Sequence, residues 1–209
     1  ANFATELVAA YEPFSAQVET LRAVRSQLML RWFATGHKAL AVVSVNPGEG
    51  ASLFAANLAV VFSQLGEHTL LVDANLRTPR QSQIFGLDAK QGLSDMLVGR
   101  ADLDVVRKIP SFVDLSVLPS GTLPPNPQEL LSRSSFLEVN LKAADNYDVV
   151  LYDVASFASG ADILAIAARV SGVLLVVRKN MTNIDDISVV AAQLGRVGAE
   201  VVGTVMVEY

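Results

Sequence analysis

Short apolar runs alternate with stretches of helical spacing along almost the whole chain. The runs at 39–45, 69–73, 115–118, 148–153, 172–178 and 200–207 are rich in Val and Leu and bounded by polar or Gly-containing turns, the pattern of strands buried on both faces. Between them, apolar residues return every three or four positions. Val18, Leu21, Val24, Leu28 and Trp32 do so across 15–33, with Ser15 placed to cap the start. Further helices are predicted from Ser52 to about Leu65, closed by Gly66, and at 135–144, 161–170 and 183–196. Shorter ones fall within 81–98 and from Gln128. Strand and helix take turns, so the expected fold is α/β, a largely parallel sheet with helices on both faces. Residues 1–14 show no such pattern and read as an arm that docks on the body or on a neighbour.

Composition narrows the class. The 209 residues are 51% hydrophobic and 18% charged, which suits a single domain with a sizeable core and excludes a disordered chain. A net charge of -5, with Lys and Arg scattered, offers no footprint for nucleic acid. The lack of Cys removes disulfides, thiolate metal sites and a thiol nucleophile, and fits a reducing compartment, so the expected location is cytoplasmic. No apolar run approaches the roughly twenty residues of a bilayer span, and the amino end lacks the basic-then-apolar order of a signal peptide.

The chemistry concentrates where strands end. After the strand at 39–45 come Pro47, Gly48, Glu49 and Gly50, then Ala51, Ser52 and Leu53 opening a helix. Such a corner gathers backbone N–H groups and aims a helix dipole at whatever sits there, which suits phosphate. A P-loop places Lys after the last Gly to meet the terminal phosphates, then Ser or Thr for Mg2+. Here Ser52 is present and Ala51 stands where the Lys belongs. Asp73 and Asp153 end two further strands, the second at a Walker B position. Together Ser52, Asp73 and Asp153 form a candidate Mg2+ set, although a strand-end carboxylate also commonly caps a turn. The four prolines in 119–127 either shape a nucleotide-base pocket or close a crossover, and sequence favours the crossover. On the first long helix, Glu19, Arg22 and Arg25 share one face. By spacing alone a solvated face with local ion pairs is the commoner outcome.

Four stations in order, Pro47–Ser52, Leu71–Pro79, Pro124–Leu131 and Tyr147–Asp153, resemble the bacterial tyrosine kinases of capsule and exopolysaccharide export. The resemblance runs from about Ser15 to Val207 and shifts the weight on Glu19, Arg22 and Arg25 towards a subunit interface, because that family joins subunits into a ring through a Glu-x-x-Arg-x-x-Arg motif. It implies a cytoplasmic kinase using ATP and Mg2+, held at the inner face of the membrane. Its substrate would be a tyrosine-rich tail on a neighbouring subunit, and its activator the cytoplasmic end of a membrane polysaccharide co-polymerase or chain-length regulator. By the same resemblance Asp73 is the candidate base.

Four positions depart from the family pattern: Ala51 for Lys, Asn75 for a second Asp, Leu53 for a hydroxyl residue and Ser156 for Pro. A lost charge-assisted bond to phosphate costs about 1.5–3 kcal/mol, roughly ten- to a hundredfold in affinity. The loss is larger for transfer, since cations and positioned donors stabilise the charge that develops. The chain is therefore expected to be a weak or inactive kinase that keeps a regulatory or scaffolding place, beside an active kinase paralogue. An active autokinase is the alternative, with Arg77 or a neighbour's residue supplying the missing charge. No tyrosine cluster precedes Tyr209. A partitioning-type ATPase on the same fold would show a second Lys early in the loop and a membrane- or DNA-binding element, and neither is present.

Overall fold

The apolar runs become the middle layer of the molecule, buried on both sides except for the run at 200–207, which forms an edge strand and stays half-buried or exposed over most of its length. The computed structural model describes residues 2–208. In chain order the elements are α1 (Val8–Tyr11), α2 (Ala16–Arg31), β1 (Ala39–Ser44), α3 (Ala51–Ser63), β2 (Thr69–Ala74), α4 (Gln81–Phe85), α5 (Leu93–Leu97) and β3 (Arg107–Lys108). There follow β4 (Leu115–Leu118), α6 (Pro127–Leu131), α7 (Ser134–Asn146), β5 (Val149–Val154), α8 (Asp162–Val170), β6 (Gly172–Arg178), α9 (Ile184–Arg196) and β7 (Glu200–Val207). The sheet has seven strands in the order β3-β4-β2-β5-β1-β6-β7. All pairs are parallel except β3 with β4.

Alternation along the strands divides the core in two. Ala39, Ala41 and Val43 of β1 pack with α5 to α9, whereas Leu40 and Val42 pack with α1 to α4. Ala55, Ala56 and Ala59 of α3 are fully buried, so the small residues do bring that helix close to the sheet. Trp32 seals the end of α2. Its Nε1 donates to Ala39 O at 2.8 Å, and its ring lies so close to Gly172 that a Cβ there would stand 2.3 Å from it. His37 stacks on the same indole with centroids 3.6 Å apart.

The predicted long elements are present within a residue or two. Two small ones are additional: α1, inside the patternless arm, and the antiparallel β3, whose Arg107 and Lys108 are both exposed. The arm docks on the body. Ala4 N donates to Ile84 O at 2.8 Å and Ala9 N to Asn57 Oδ1 at 3.0 Å, while Phe3 packs between Phe85 and Phe112.

The α2 charges are not equally placed: Glu19 is exposed, whereas Arg22 and Arg25 are half-buried. Glu19 pairs with Arg22 at 3.0 Å, and Arg22 also donates to Pro13 O at 2.7 Å. Arg25 turns inward and donates to Val61 O at 2.6 Å, one of the last-turn carbonyls of α3 that has no partner within its own helix. Burial, then the charge of Arg22, lowers the pKa of its guanidinium, which nevertheless remains charged. Arg25→Ala should destabilise the monomer by about 1.5–3 kcal/mol, read by urea unfolding, while Glu19→Ala should stay within about 0.5 kcal/mol.

Candidate functional site

The strand order places β2, β5 and β1 side by side, and their carboxyl ends build one site. Asp73 and Asp153 are direct register partners on β2 and β5, and both are almost wholly buried. Beside them β1 leads into the loop at 46–50. Gly48 and Gly50 turn it with φ of 79° and 91°, a conformation that side-chain-bearing residues rarely adopt. Ser44 Oγ donates to Asn46 O at 2.8 Å and Arg178 Nη1 to Gly48 O at 2.9 Å, fixing the loop from below and from the side. Glu49 points inward, fully buried, and accepts from Asn46 N at 2.6 Å and from Thr182 Oγ1. Its side chain therefore shapes the loop from within, and only its backbone is left to face a ligand.

The first turn of α3 opens onto this loop with N–H groups that have no partner within the helix. Ala51 contributes a buried methyl group to that turn. Ser52 follows, close enough to the Asp153 carboxylate to favour its charged form. Leu53 faces elsewhere: it lines a cavity of about 580 Å³ with Glu6, Val8 and Asn57 under the docked arm.

Residues 75–81 wrap the acid pair. Asp73 Oδ1 accepts from Asn75 N at 3.2 Å, and Oδ2 accepts from Arg80 N at 3.1 Å and Gln81 N at 3.0 Å. This is the arrangement of a carboxylate capping a turn. Asn75 Oδ1 accepts from Arg77 N and Thr78 N, so its side chain is spent within the loop. Arg77 is spent as well, since its Nε and Nη2 each lie 2.9 Å from an oxygen of buried Asp162. That overturns Arg77 as a free replacement for the missing Lys. It sits beside the proline loop, where a cavity of about 570 Å³ is lined by Arg77, Pro125, Asn126 and α6 but by none of residues 47–52.

Gln81 is the residue that the sequence does not betray. Fully buried, it donates from Nε2 to Asp153 Oδ2 and to Ser52 O, both at 2.9 Å, joining the loop, the Walker B strand and α3. Nothing in its surroundings of Arg80 and Ser82 marks it out, and only the fold brings it under the phosphate loop.

Burial raises the pKa of Asp73, and the adjacent Asp153 adds to the rise against the pull of the three N–H donors. Burial also raises Asp153, opposed by Gln81, Ser52 and the positive charge of Arg80. Asp153 Oδ1 is buried without a hydrogen-bond partner. Two carboxylates, one of them with an unsatisfied oxygen, and a nearby hydroxyl suit a hard cation that takes oxygen ligands, so the residues fit Mg2+. Among the described residues no group of three or more His, Cys, Asp or Glu gathers as a metal cluster, so phosphate oxygens and waters would complete the shell.

No family model matches the chain. It is 32% identical over 200 residues to the tyrosine-protein kinase YwqD of Bacillus subtilis, spanning 96% of this chain and 84% of that protein. The putative tyrosine-protein kinase CapB of Staphylococcus aureus is 29% identical over 195 residues, with 93% and 86% covered. The kinase domain of the Escherichia coli tyrosine kinase ETK superposes with a TM-score of 0.92 at 26% identity over 99% of this chain and 82% of that one. The septum site-determining protein MinD of Pyrococcus horikoshii, complexed with Mg-ADP, shares the fold with a TM-score of 0.69 at 24% identity. A phosphate loop after an inner strand of a largely parallel sheet, with a carboxylate at the end of the neighbouring strand, is the arrangement of the P-loop NTPase class. Within it, this chain belongs to the bacterial tyrosine-protein kinase family.

The acid pair gives stability a definite pH dependence. With folded-state pKa values above the unfolded ones, its contribution is complete below the ordinary carboxylate range and is lost as pH rises through neutrality. Asp153→Asn removes one of two adjacent charges and should stabilise the metal-free protein at pH 8 by on the order of 1–4 kcal/mol. Thermal melts between pH 5 and pH 8 should therefore fall less steeply for the variant than for the parent.

Proposed function

We propose that this protein is a degenerate tyrosine-kinase-like subunit that binds ATP or ADP with Mg2+, transfers phosphate poorly, and regulates or scaffolds an exopolysaccharide export system. The observation that carries the reading is the charge balance of the site. Glycine-bent backbone and a helix N-terminus remain to cradle phosphate, and two buried carboxylates remain for the cation, but a methyl group stands at Ala51. In this reading Ser52 and Asp153 hold Mg2+, with Asp73 beside them. The bound ion would supply charge to the β- and γ-phosphates. Residues 47–52 would bind those phosphates through backbone N–H groups. Asp73 would serve as base only for a tyrosine hydroxyl that reaches a carboxylate almost wholly buried and already accepting three N–H donors, a further reason for slow transfer. The Mg-ADP complex of MinD, on the same fold, supports the nucleotide part.

The partner in this reading is the cytoplasmic end of a membrane polysaccharide co-polymerase, with an active kinase paralogue alongside. No described helix is long and apolar enough to cross a membrane, so attachment would come through that partner. Self-association would use Glu19, Arg22 and Arg25 of α2, with Arg25 also tied to α3 through Val61 O. Tyr209, the lone terminal tyrosine, lies outside the described residues.

One observation favours the active-kinase reading. Arg80 is exposed at the surface, its backbone N–H donates to Asp73 Oδ2 at 3.1 Å and its charge favours ionised Asp153, so in this reading it supplies positive charge to the site. Incubation with Mg-ATP and the partner's cytoplasmic segment separates the two readings. The parent should gain no phosphotyrosine above background, and Ala51→Lys should bind ATP roughly ten- to a hundredfold tighter and gain detectable transfer. Robust autophosphorylation of the parent, abolished by Arg80→Ala, would establish the alternative. For the interface, Glu19→Arg should lower the mass seen in light scattering, and an unchanged mass would remove α2 from the contact.

A further inference from the structure

Two buried acceptor oxygens on neighbouring side chains lack any donor: Asp153 Oδ1 and Gln81 Oε1. The two side chains are already joined, through Gln81 Nε2 and Asp153 Oδ2 at 2.9 Å. The amide cannot be turned round to relieve this, because Nε2 also donates to Ser52 O at 2.9 Å and the reversed amide would set its oxygen against two acceptors. Gln81 is thus locked with its oxygen free, beside a carboxylate with an oxygen free, next to the Ser52 hydroxyl. Protein interiors rarely leave such atoms unpaired, and a shared occupant that resolves both is a cation or its bound water.

Asn75 sharpens the point. Its side chain bonds to Arg77 N, Thr78 N and Thr78 Oγ1 within its own loop and offers nothing to the acid pair. The loop brings Gln81 into the site instead, six positions further along.

We propose that Gln81 is an oxygen ligand of the divalent cation site, binding through Oε1 directly or through a metal-bound water, while its Nε2 holds Asp153 in position. The assignment rests on the Mg2+ reading of the site. Amide oxygens are ordinary ligands for hard cations, and Gln81 would complement Asp153 and Ser52 without adding charge to a site that already buries two carboxylates.

Mn2+ titration in the presence of ADP, followed by the electron paramagnetic resonance signal of free Mn2+, tests this on the parent, Gln81→Met and Gln81→Glu. ADP binding without metal and a thermal melt are recorded for each. Gln81→Met keeps the bulk and loses the oxygen, and should weaken Mn2+ binding about 10–100-fold, well beyond any change in metal-free ADP binding. Gln81→Glu keeps an oxygen and adds a charge that only a cation relieves, so it should hold Mn2+ at least as tightly as the parent. A role as a mere clamp predicts the reverse, since Glu has no N–H to give Ser52 O or Asp153. Mn2+ binding by Gln81→Met equal to the parent's, or by Gln81→Glu weaker than the parent's, overturns the assignment while the metal site stands. A parent that holds no Mn2+ overturns the metal reading itself, and this assignment with it. Should Gln81→Met fail to fold, the isosteric Gln81→Glu decides alone.

Discussion

The burial of two carboxylates side by side is the constraint on which the site depends. Asp73 and Asp153 are register partners on adjacent parallel strands, and neither reaches solvent appreciably. Two like charges in a desolvated place are tolerated only where donors, protons or a cation answer them. The protein answers with three backbone N–H groups, the Gln81 amide, the Ser52 hydroxyl and the nearby charge of Arg80. One oxygen remains unanswered. A site of this kind is built around positive charge that the polypeptide does not fully supply, and Ala51 makes the deficit larger.

Residues 75–81 tie that charge balance to the rest of the molecule. Asn75 closes a turn, Arg77 reaches across to Asp162 at the start of α8, and Gln81 reaches back to α3 and β5. Gly160 permits the Arg77 crossing, because a Cβ there would lie 2.6 Å from the guanidinium. The segment therefore touches the phosphate loop helix, the Walker B strand and the helix that follows it. Any ligand that draws Asp153 or Ser52 is coupled through Gln81 to the loop, and through Arg77 to α8.

The long elements were legible because their physics is local. Strands buried on both faces must be apolar throughout, and β1, β2, β4, β5 and β6 are fully buried over nearly all their length. The phosphate loop was legible through its glycines, and the acids through their place at strand ends. What escaped depends on tertiary contacts. The pairing of Arg107 and Lys108 as β3 has no apolar signature, and α1 forms only where the arm meets Asn57 and Phe85. Helical spacing put Glu19, Arg22 and Arg25 on one face but could not say that Arg25 bends back onto α3. It was likewise silent on Arg77, which looked free and is bound, and on Gln81, which looked incidental and joins three elements.

Calorimetric titration of the purified protein with ADP, with and without Mg2+, tests the central claim most directly. The account predicts binding that Mg2+ strengthens, because the cation answers the acid pair and the phosphates together. ADP binding of equal strength in the presence and absence of Mg2+, or no binding at millimolar nucleotide, would contradict it and leave the acid pair as a structural feature of the loop alone.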